Sequence, residues 1–99
     1  MEAKINFYFS NKIWKHHSEG GWYFVSLPQD ISKEIREQLQ WQEEGWGRMK
    51  AIAQIKELAW ETAIWFDKKR NTYLLPLKAD IRKKAGLQLD DIIEVSISM

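Results

Sequence analysis

One structural phrase occurs twice in this chain of 99 residues, and it constrains the fold more than any other feature. "WYFVSLPQDISKEI" (22–35) and "TYLLPLKADIRKKAG" (72–86) each consist of an apolar strand, a proline near its end and an amphipathic helical turn. Without gaps, fifty positions apart (73 minus 23), the copies match at Tyr23 and Tyr73, Val25 and Leu75, and Leu27 and Leu77. The recurrence predicts an internal duplication in which two halves cover each other's sheet edges.

Hydrophobic periodicity predicts the remaining elements. Alternation typical of half-buried strands covers 4–14, 22–27, 48–55, 60–66, 72–77 and 89–98. Apolar residues four apart predict a helix from about Pro28–Asp30 to Leu39 and a shorter one over Asp80–Ala85, with Gly86 in a left-handed C-terminal position. Turns are predicted at "KHHSEGG", "KELA" and "DKKRN", and "WQEEGWG" (41–47) is predicted to be a loop.

These elements predict a mainly β fold: one small six-stranded double-split β-barrel, pseudo-duplicated and capped by two short α-helices. A chain of 99 residues has room for one modest core, so we expect a single domain over 1–99. The pseudo-repeats would cover about 4–55 and 60–98.

Composition narrows the classes of function. The chain has no cysteine, which removes disulfides and thiolate chemistry, and no apolar run long enough for a signal peptide or a membrane span. We therefore expect a cytoplasmic protein without a membrane partner, as a monomer or weak homodimer. The formal net charge is +1, so any surface that attracts nucleic acid must be local.

Over nearly its whole length, the chain also resembles a known family, the bacterial and archaeal domain-of-unknown-function family 1905. The resemblance rests on W-x-T-x-[IL], Y-x-L-P-x-[KR] and [IV]-R-[KR]-x-x-G-[IL] patterns, met here by Trp60, Thr62, Ile64, Tyr73, Leu75, Pro76, Lys78, Ile81, Arg82, Lys83, Gly86 and Leu87. Two departures concern turns: Asp90 stands where the family usually has glycine, and "KELA" replaces an Asn-Gly type turn. The resemblance implies a six-stranded barrel related in architecture to AbrB-like transcription factors, and no known activity.

Six tryptophans are the most unusual feature of the composition. Core filling explains indoles on strands, and we expect Trp22 and Trp60 to be less exposed than Trp41 and Trp46, which lie in a glycine-containing loop. A large exposed ring often marks an interface. Two functional interpretations are open: a stacking platform for single-stranded nucleic acid, or a rim of aromatic rings around a small-ligand pocket. The sequence therefore predicts a binding or accessory module that recognises a small molecule or a protein partner through Trp41, Trp46 and Arg48.

The alternative is nucleic-acid binding of the AbrB-like type, which the near-neutral charge disfavours. Its contacts would be basic residues in and near the two hairpin turns: Lys12, Lys15, Lys68, Lys69 and Arg70.

An enzyme is not expected, and neither a cofactor nor a metal is predicted. His16 and His17 are adjacent, so on a strand they would point to opposite faces. Glu43 and Glu44 have no nucleophile or phosphate-binding loop to accompany them.

Overall fold

A computed structural model describes residues 5–17 and 21–99, except for the side chain of Trp46. The strands are β1 (Asn6–Lys15), β2 (Tyr23–Ser26), β3 (Arg48–Ile55), β4 (Leu58–Asp67), β5 (Thr72–Pro76) and β6 (Ile92–Ser98). The helices are α1 (Gln29–Leu39) and α2 (Ala79–Ala85). Two single turns of 3-10 helix, Gln40–Gln42 and Gly45–Gly47, lie in the predicted loop between α1 and β3.

The strands form a closed antiparallel barrel in the order β1-β2-β5-β4-β3-β6. Closure gives every strand a partner on both sides, although some ladders are short: β6 pairs with β1 over 92–98 and with β3 only over 96–98. The prediction of a mainly β, six-stranded barrel with two short helices is confirmed.

Strand alternation determines which side chains fill the barrel. On β1, Phe7, Phe9 and Ile13 are buried, whereas Tyr8 and Lys12 between them are exposed. Equivalent inward residues on the other strands include Val25, Met49, Ile64, Leu75 and Ile97, all with no exposed surface. Each such side chain contributes about 1.5–3 kcal/mol of hydrophobic stabilisation.

The helices lie at opposite ends of β4. Helix α1 places the Arg36 guanidinium carbon 4.0 Å from the Phe66 ring centroid, near the end of β4. Helix α2 lies beside the turn before β4, where the Lys56 ammonium donates a 2.8 Å hydrogen bond to the Ala85 carbonyl. The apolar stripe predicted for α1 is confirmed at Ile35 and Leu39, which are buried.

The turns differ in part from the prediction. The predicted "KELA" turn consists of only Lys56 and Glu57, because Ile55 pairs with Leu58 and β4 therefore begins two residues earlier. The left-handed Gly86 is confirmed, with φ of 64° and its amide bonded to the Lys83 carbonyl. The first hairpin turn falls partly outside the described residues.

Among the described residues, no helix is long and apolar enough to cross a membrane.

Candidate ligand-binding groove

An aromatic row lies on the outer surface of β1 and β2. The ring of Phe24 lies between two indoles, with its centroid 5.2 Å from Trp14 and 6.4 Å from Trp22. The Trp22 and Phe24 rings are nearly parallel, 14° apart. Strand alternation explains the arrangement, because Val25 faces the core and its neighbour Phe24 therefore faces outward.

Trp22, at one end of the aromatic row, also lines a surface groove of about 960 Å³, which we call the tryptophan groove. Its floor lies on β3 and β4, and its walls include the end of β5 and helix α2. Three indoles line it, those of Trp22, Trp60 and Trp65. Trp60 packs against the core, whereas Trp22 is 54% and Trp65 is 39% exposed. Two large, partly exposed aromatic rings therefore line one groove.

The lining of the tryptophan groove is basic. Its charged side chains are Arg48, Lys50, Lys78 and Lys84 on the positive side and Glu61 and Asp80 on the negative side. The Arg48 guanidinium carbon lies 5.8 Å from the Trp65 ring centroid. The same guanidinium forms an ion pair with the Glu44 carboxylate. Lys50 is 3.9 Å from the same carboxylate. The groove thus combines flat rings with an excess of cations, which suits an anionic ligand.

A smaller hollow of about 460 Å³ lies at the other end of the aromatic row. We call it the Trp14 hollow; it is lined by Trp14, Lys15, His16, His17, Ser26 and Arg70. The Trp14 indole donates a 2.9 Å hydrogen bond to the Ser26 hydroxyl, and the Arg70 guanidinium carbon lies 4.3 Å from the Trp14 ring centroid. Residues of both hairpins therefore meet in this hollow.

Asp67 holds Arg70 in place. Its carboxylate accepts hydrogen bonds from the Arg70 guanidinium at 2.7 Å and from the Lys69 amide at 2.9 Å. Burial favours the neutral acid, but these bonds outweigh it and lower the pKa of Asp67 below its ordinary value. The second hairpin turn is therefore fixed by an ionised aspartate.

The structure separates the residues of the predicted ligand site. Arg48 lines the tryptophan groove, as described above. Trp41, 79% exposed, lies on the 3-10 turn after α1 and is absent from the described lining of the groove and of the hollow. The side chain of Trp46 lies outside what the structure describes. Trp41 is more exposed than Trp22, as predicted, and Trp60 is half-buried against the core.

The predicted basic contacts are also only partly brought together. The two hairpin turns leave opposite ends of the β2–β5 ladder, because Phe24 pairs with Pro76 and Ser26 with Leu74. Lys15 and Arg70 nevertheless line one hollow, since the Trp14 indole extends toward Ser26. The other three predicted contacts are exposed and are not in the described lining of that hollow: Lys12, Lys68 and Lys69.

Sequence reasoning missed Trp22 and Trp65 as site residues. The signal was present at Trp65, which lies on the face of β4 opposite to Ile64, a fully buried residue. No sequence pattern predicts that Lys78 and Lys84 line the groove. They are far from β3 in sequence, and barrel closure brings them to the same groove.

A separate polar cluster, formed by Arg36, Glu43 and Tyr73, lies near the loop that precedes β3. Tyr73 is fully buried, and its hydroxyl has no hydrogen-bond partner among the described residues. Burial raises the pKa of Tyr73, and the nearby Glu43 carboxylate raises it further. Arg36 lies 3.7 Å from Glu43. This cluster joins α1 to the loop, and the tryptophan groove lies elsewhere.

The molecule is thus a small closed β-barrel with an aromatic, basic groove on its outer surface. Residues 9–97 match the family model described as Domain of unknown function (DUF1905), and the chain belongs to that family. The resemblance noted in the sequence is thereby confirmed. No curated protein matches the chain.

Proposed function

We propose that this chain is a binding module whose tryptophan groove holds a small anionic ligand with a flat ring, a nucleotide being the simplest chemical example. The observation that carries the proposal is that two exposed indoles, Trp22 and Trp65, line one groove whose described lining has more cations than carboxylates. An indole stacks on any flat ring, and lysine or arginine side chains neutralise a phosphate.

The size of the groove supports the same class of ligand. Its volume of about 960 Å³ lies within the range of small-molecule sites, roughly 300–1,000 Å³. Trp65 lies at a point where β4 is paired on both sides, with Arg48 on β3 and Leu74 on β5, and Trp22 directly precedes β2. A ligand would therefore meet rings whose backbone is already ordered, which lowers the entropic cost of binding.

Isothermal titration calorimetry tests the proposal with adenosine 5′-monophosphate, adenosine and inorganic phosphate as separate probes. We expect the nucleotide to bind more tightly than either fragment, because only the nucleotide offers both a ring and a charge. Trp22→Ala should weaken nucleotide binding by roughly fivefold or more, the loss of one stacking contact. Trp41→Ala is the matched control, since Trp41 is exposed but lies outside the groove lining.

Two results would count against the groove. If Trp41→Ala weakens binding and Trp22→Ala does not, the ligand lies at the loop predicted from the sequence. If none of the three probes binds at millimolar concentration, the proposal of a nucleotide-like ligand is wrong.

A second candidate function is duplex DNA binding through the hairpin turns, of the AbrB-like type. The observation in its favour is that Lys15, at the end of β1, and Arg70, in the second hairpin turn, line the Trp14 hollow together. Its distinguishing test is the double variant Lys68→Gln, Lys69→Gln, which should weaken duplex binding regardless of sequence and flatten its dependence on salt. Unchanged affinity for duplex DNA would exclude the turns as the binding surface.

We also propose that the barrel arose by duplication of a half-barrel, as the two matching segments 22–35 and 72–86 predict. Strand register supports this proposal: Val25 pairs with Leu75, its counterpart fifty positions later. The bonds around this pair are reciprocal, because the Leu27 amide donates to the Tyr73 carbonyl and the Leu77 amide to the Tyr23 carbonyl, both at 2.9 Å. A two-fold axis between the central pair would relate these bonds.

The other ladders support the same axis. Trp14 pairs with Phe24, and Trp65 pairs with Leu74, so the two indoles occupy equivalent places on β1 and β4. The strand order is unchanged when β1, β2 and β3 are exchanged with β4, β5 and β6. The helices follow the exchange as well, since Arg36 of α1 lies near Tyr73 and Arg82 of α2 lies 3.7 Å from the ring of Tyr23.

A further inference from the structure

We infer that the tryptophan groove and the Trp14 hollow form one continuous track for single-stranded nucleic acid, with Phe24 as the link between them. This inference rests on the proposed function, because it takes the nucleotide of the groove to be one unit of a longer ligand. It adds the hollow, which the proposed function does not use.

Continuity is the first argument. Trp22 lines the groove and Trp14 lines the hollow. The Phe24 ring centroid lies 6.4 Å from that of Trp22 and 5.2 Å from that of Trp14. Three neighbouring aromatic rings along adjacent strands make a surface on which successive bases can stack, whatever their sequence. A compact small molecule bound in the tryptophan groove would not extend to the Trp14 hollow.

Charge is the second argument. The described linings together hold six lysine or arginine side chains and two carboxylates. With Glu44 and Asp67, which pair with Arg48, Lys50 and Arg70, the excess is two, whereas the whole chain has an excess of one. Four members of this set are lysines, in the groove at Lys50, Lys78 and Lys84 and in the hollow at Lys15. Cations at both ends of an aromatic row match a ligand with a phosphate between successive bases.

Curvature is the third argument, and it favours a single strand over a duplex. The aromatic row lies across the outer surface of a closed barrel, with Trp22 only half exposed and Trp14 partly covered by Arg70. Stacking on these rings requires bases with a free face, and a duplex keeps its bases stacked on one another.

Fluorescence anisotropy of the full chain with labelled oligothymidylate tests the track. A probe of about 12 nucleotides should bind at least tenfold more tightly than a trinucleotide, because only the longer probe can reach both the groove and the hollow. Lys78→Gln in the groove and Lys15→Gln in the hollow should each weaken binding. Each should also lower the slope of log affinity against log salt by about 0.7, the loss of one phosphate contact.

Lys33→Gln is the matched control, since Lys33 is exposed on α1 and outside both linings. The glutamine substitutions keep the stem of the side chain, and thermal unfolding of each variant confirms that it is folded. A control variant with the same loss of salt slope would show that the probe follows overall charge, and the track would be wrong.

The remaining outcomes separate the track from the proposed function. If the trinucleotide binds as tightly as the longer probe and Lys15→Gln has no effect, the groove binds alone and only the track is wrong. If neither adenosine 5′-monophosphate nor either oligonucleotide binds, both proposals are wrong. If duplex DNA binds more tightly than the single strand and depends on Lys68 and Lys69, the hairpin turns are the binding surface and the track is excluded.

Discussion

At the scale of single residues, Ser32 connects α1 to the barrel. Its side chain is buried, and its hydroxyl accepts a 3.0 Å hydrogen bond from the Tyr73 amide. Strand β2 ends at Ser26, so the helix takes over the role of a ladder partner at this point. No local sequence pattern predicts this contact, because a serine between Ile31 and Ile35 is compatible with an ordinary solvent-facing helix position.

Ser32→Ala should therefore lower the free energy of unfolding by about 1–3 kcal/mol, the cost of a buried amide left without an acceptor. For a domain of this size the melting temperature should fall by about 4–8 °C for each kcal/mol. Urea and thermal unfolding measure both quantities. Ser10→Ala, at an exposed position on β1, is the control and should change stability by no more than about 0.5 kcal/mol. Equal effects of the two variants would show that the Ser32 hydrogen bond does not stabilise the fold.

At the scale of elements, the β4–β5 hairpin depends on the ionised form of Asp67. Because its pKa is lower in the folded than in the unfolded state, this carboxylate stabilises the fold above the unfolded value of about 3.9. The stabilisation is lost as the pH falls through the lower, folded value. Stability should thus decrease more steeply below about pH 5 in the parent protein than in Asp67→Asn. Unfolding by urea at a series of pH values tests this, and parallel pH profiles would contradict it.

The turn before β6 contains a non-glycine residue in a left-handed conformation. Asp90 has a φ of 71°, a left-handed conformation that glycine adopts without steric cost. Asp90→Gly should raise the free energy of unfolding by about 0.5–1 kcal/mol, less than the full left-handed penalty because glycine also gains entropy in the unfolded chain. Asp91→Gly is the control and should be destabilising, since the Asp91 carboxylate accepts a 2.8 Å hydrogen bond from the Gln88 amide. A loss of stability in Asp90→Gly would show that its side chain has a role at this turn.

Sequence and structure agree best where the signal is local. The apolar alternation of "RMKAIAQI" gave the limits of β3, and the glycine after α2 gave its left-handed end. Agreement was weaker where distant segments meet. Trp22 was expected to fill the core because it belongs to the predicted strand over 22–27, yet the barrel ladder starts at Tyr23 and leaves the indole half exposed. The tryptophan groove depends on β3, β4, β5 and α2 together, and no local pattern predicts that meeting.

At the scale of the whole molecule, the two ends of the described chain pair as the central hairpin does. Ile5 and Met99 exchange backbone hydrogen bonds of 2.9 and 3.0 Å, and Ile55 pairs with Leu58 across the Lys56–Glu57 turn. A duplicated barrel predicts this equivalence. A circular permutant, opened between Lys56 and Glu57 and closed by a short linker between the original ends, should therefore keep the native circular-dichroism spectrum and unfold cooperatively. A permutant without cooperative unfolding would contradict the equivalence of the two junctions.

The tryptophan groove, lined by Trp22 and Trp65, is expected to bind the ligand, and the more exposed Trp41 is not. Two-dimensional ¹H–¹⁵N NMR reports on the indole N–H of each tryptophan separately, with assignments from single Trp→Phe variants. On titration with adenosine 5′-monophosphate, the Trp22 and Trp65 indole signals should shift together in a saturable manner, and the Trp41 signal should stay in place. A saturable shift of Trp41 without movement of Trp22 and Trp65 would contradict the claim, as would the absence of any shift at millimolar nucleotide.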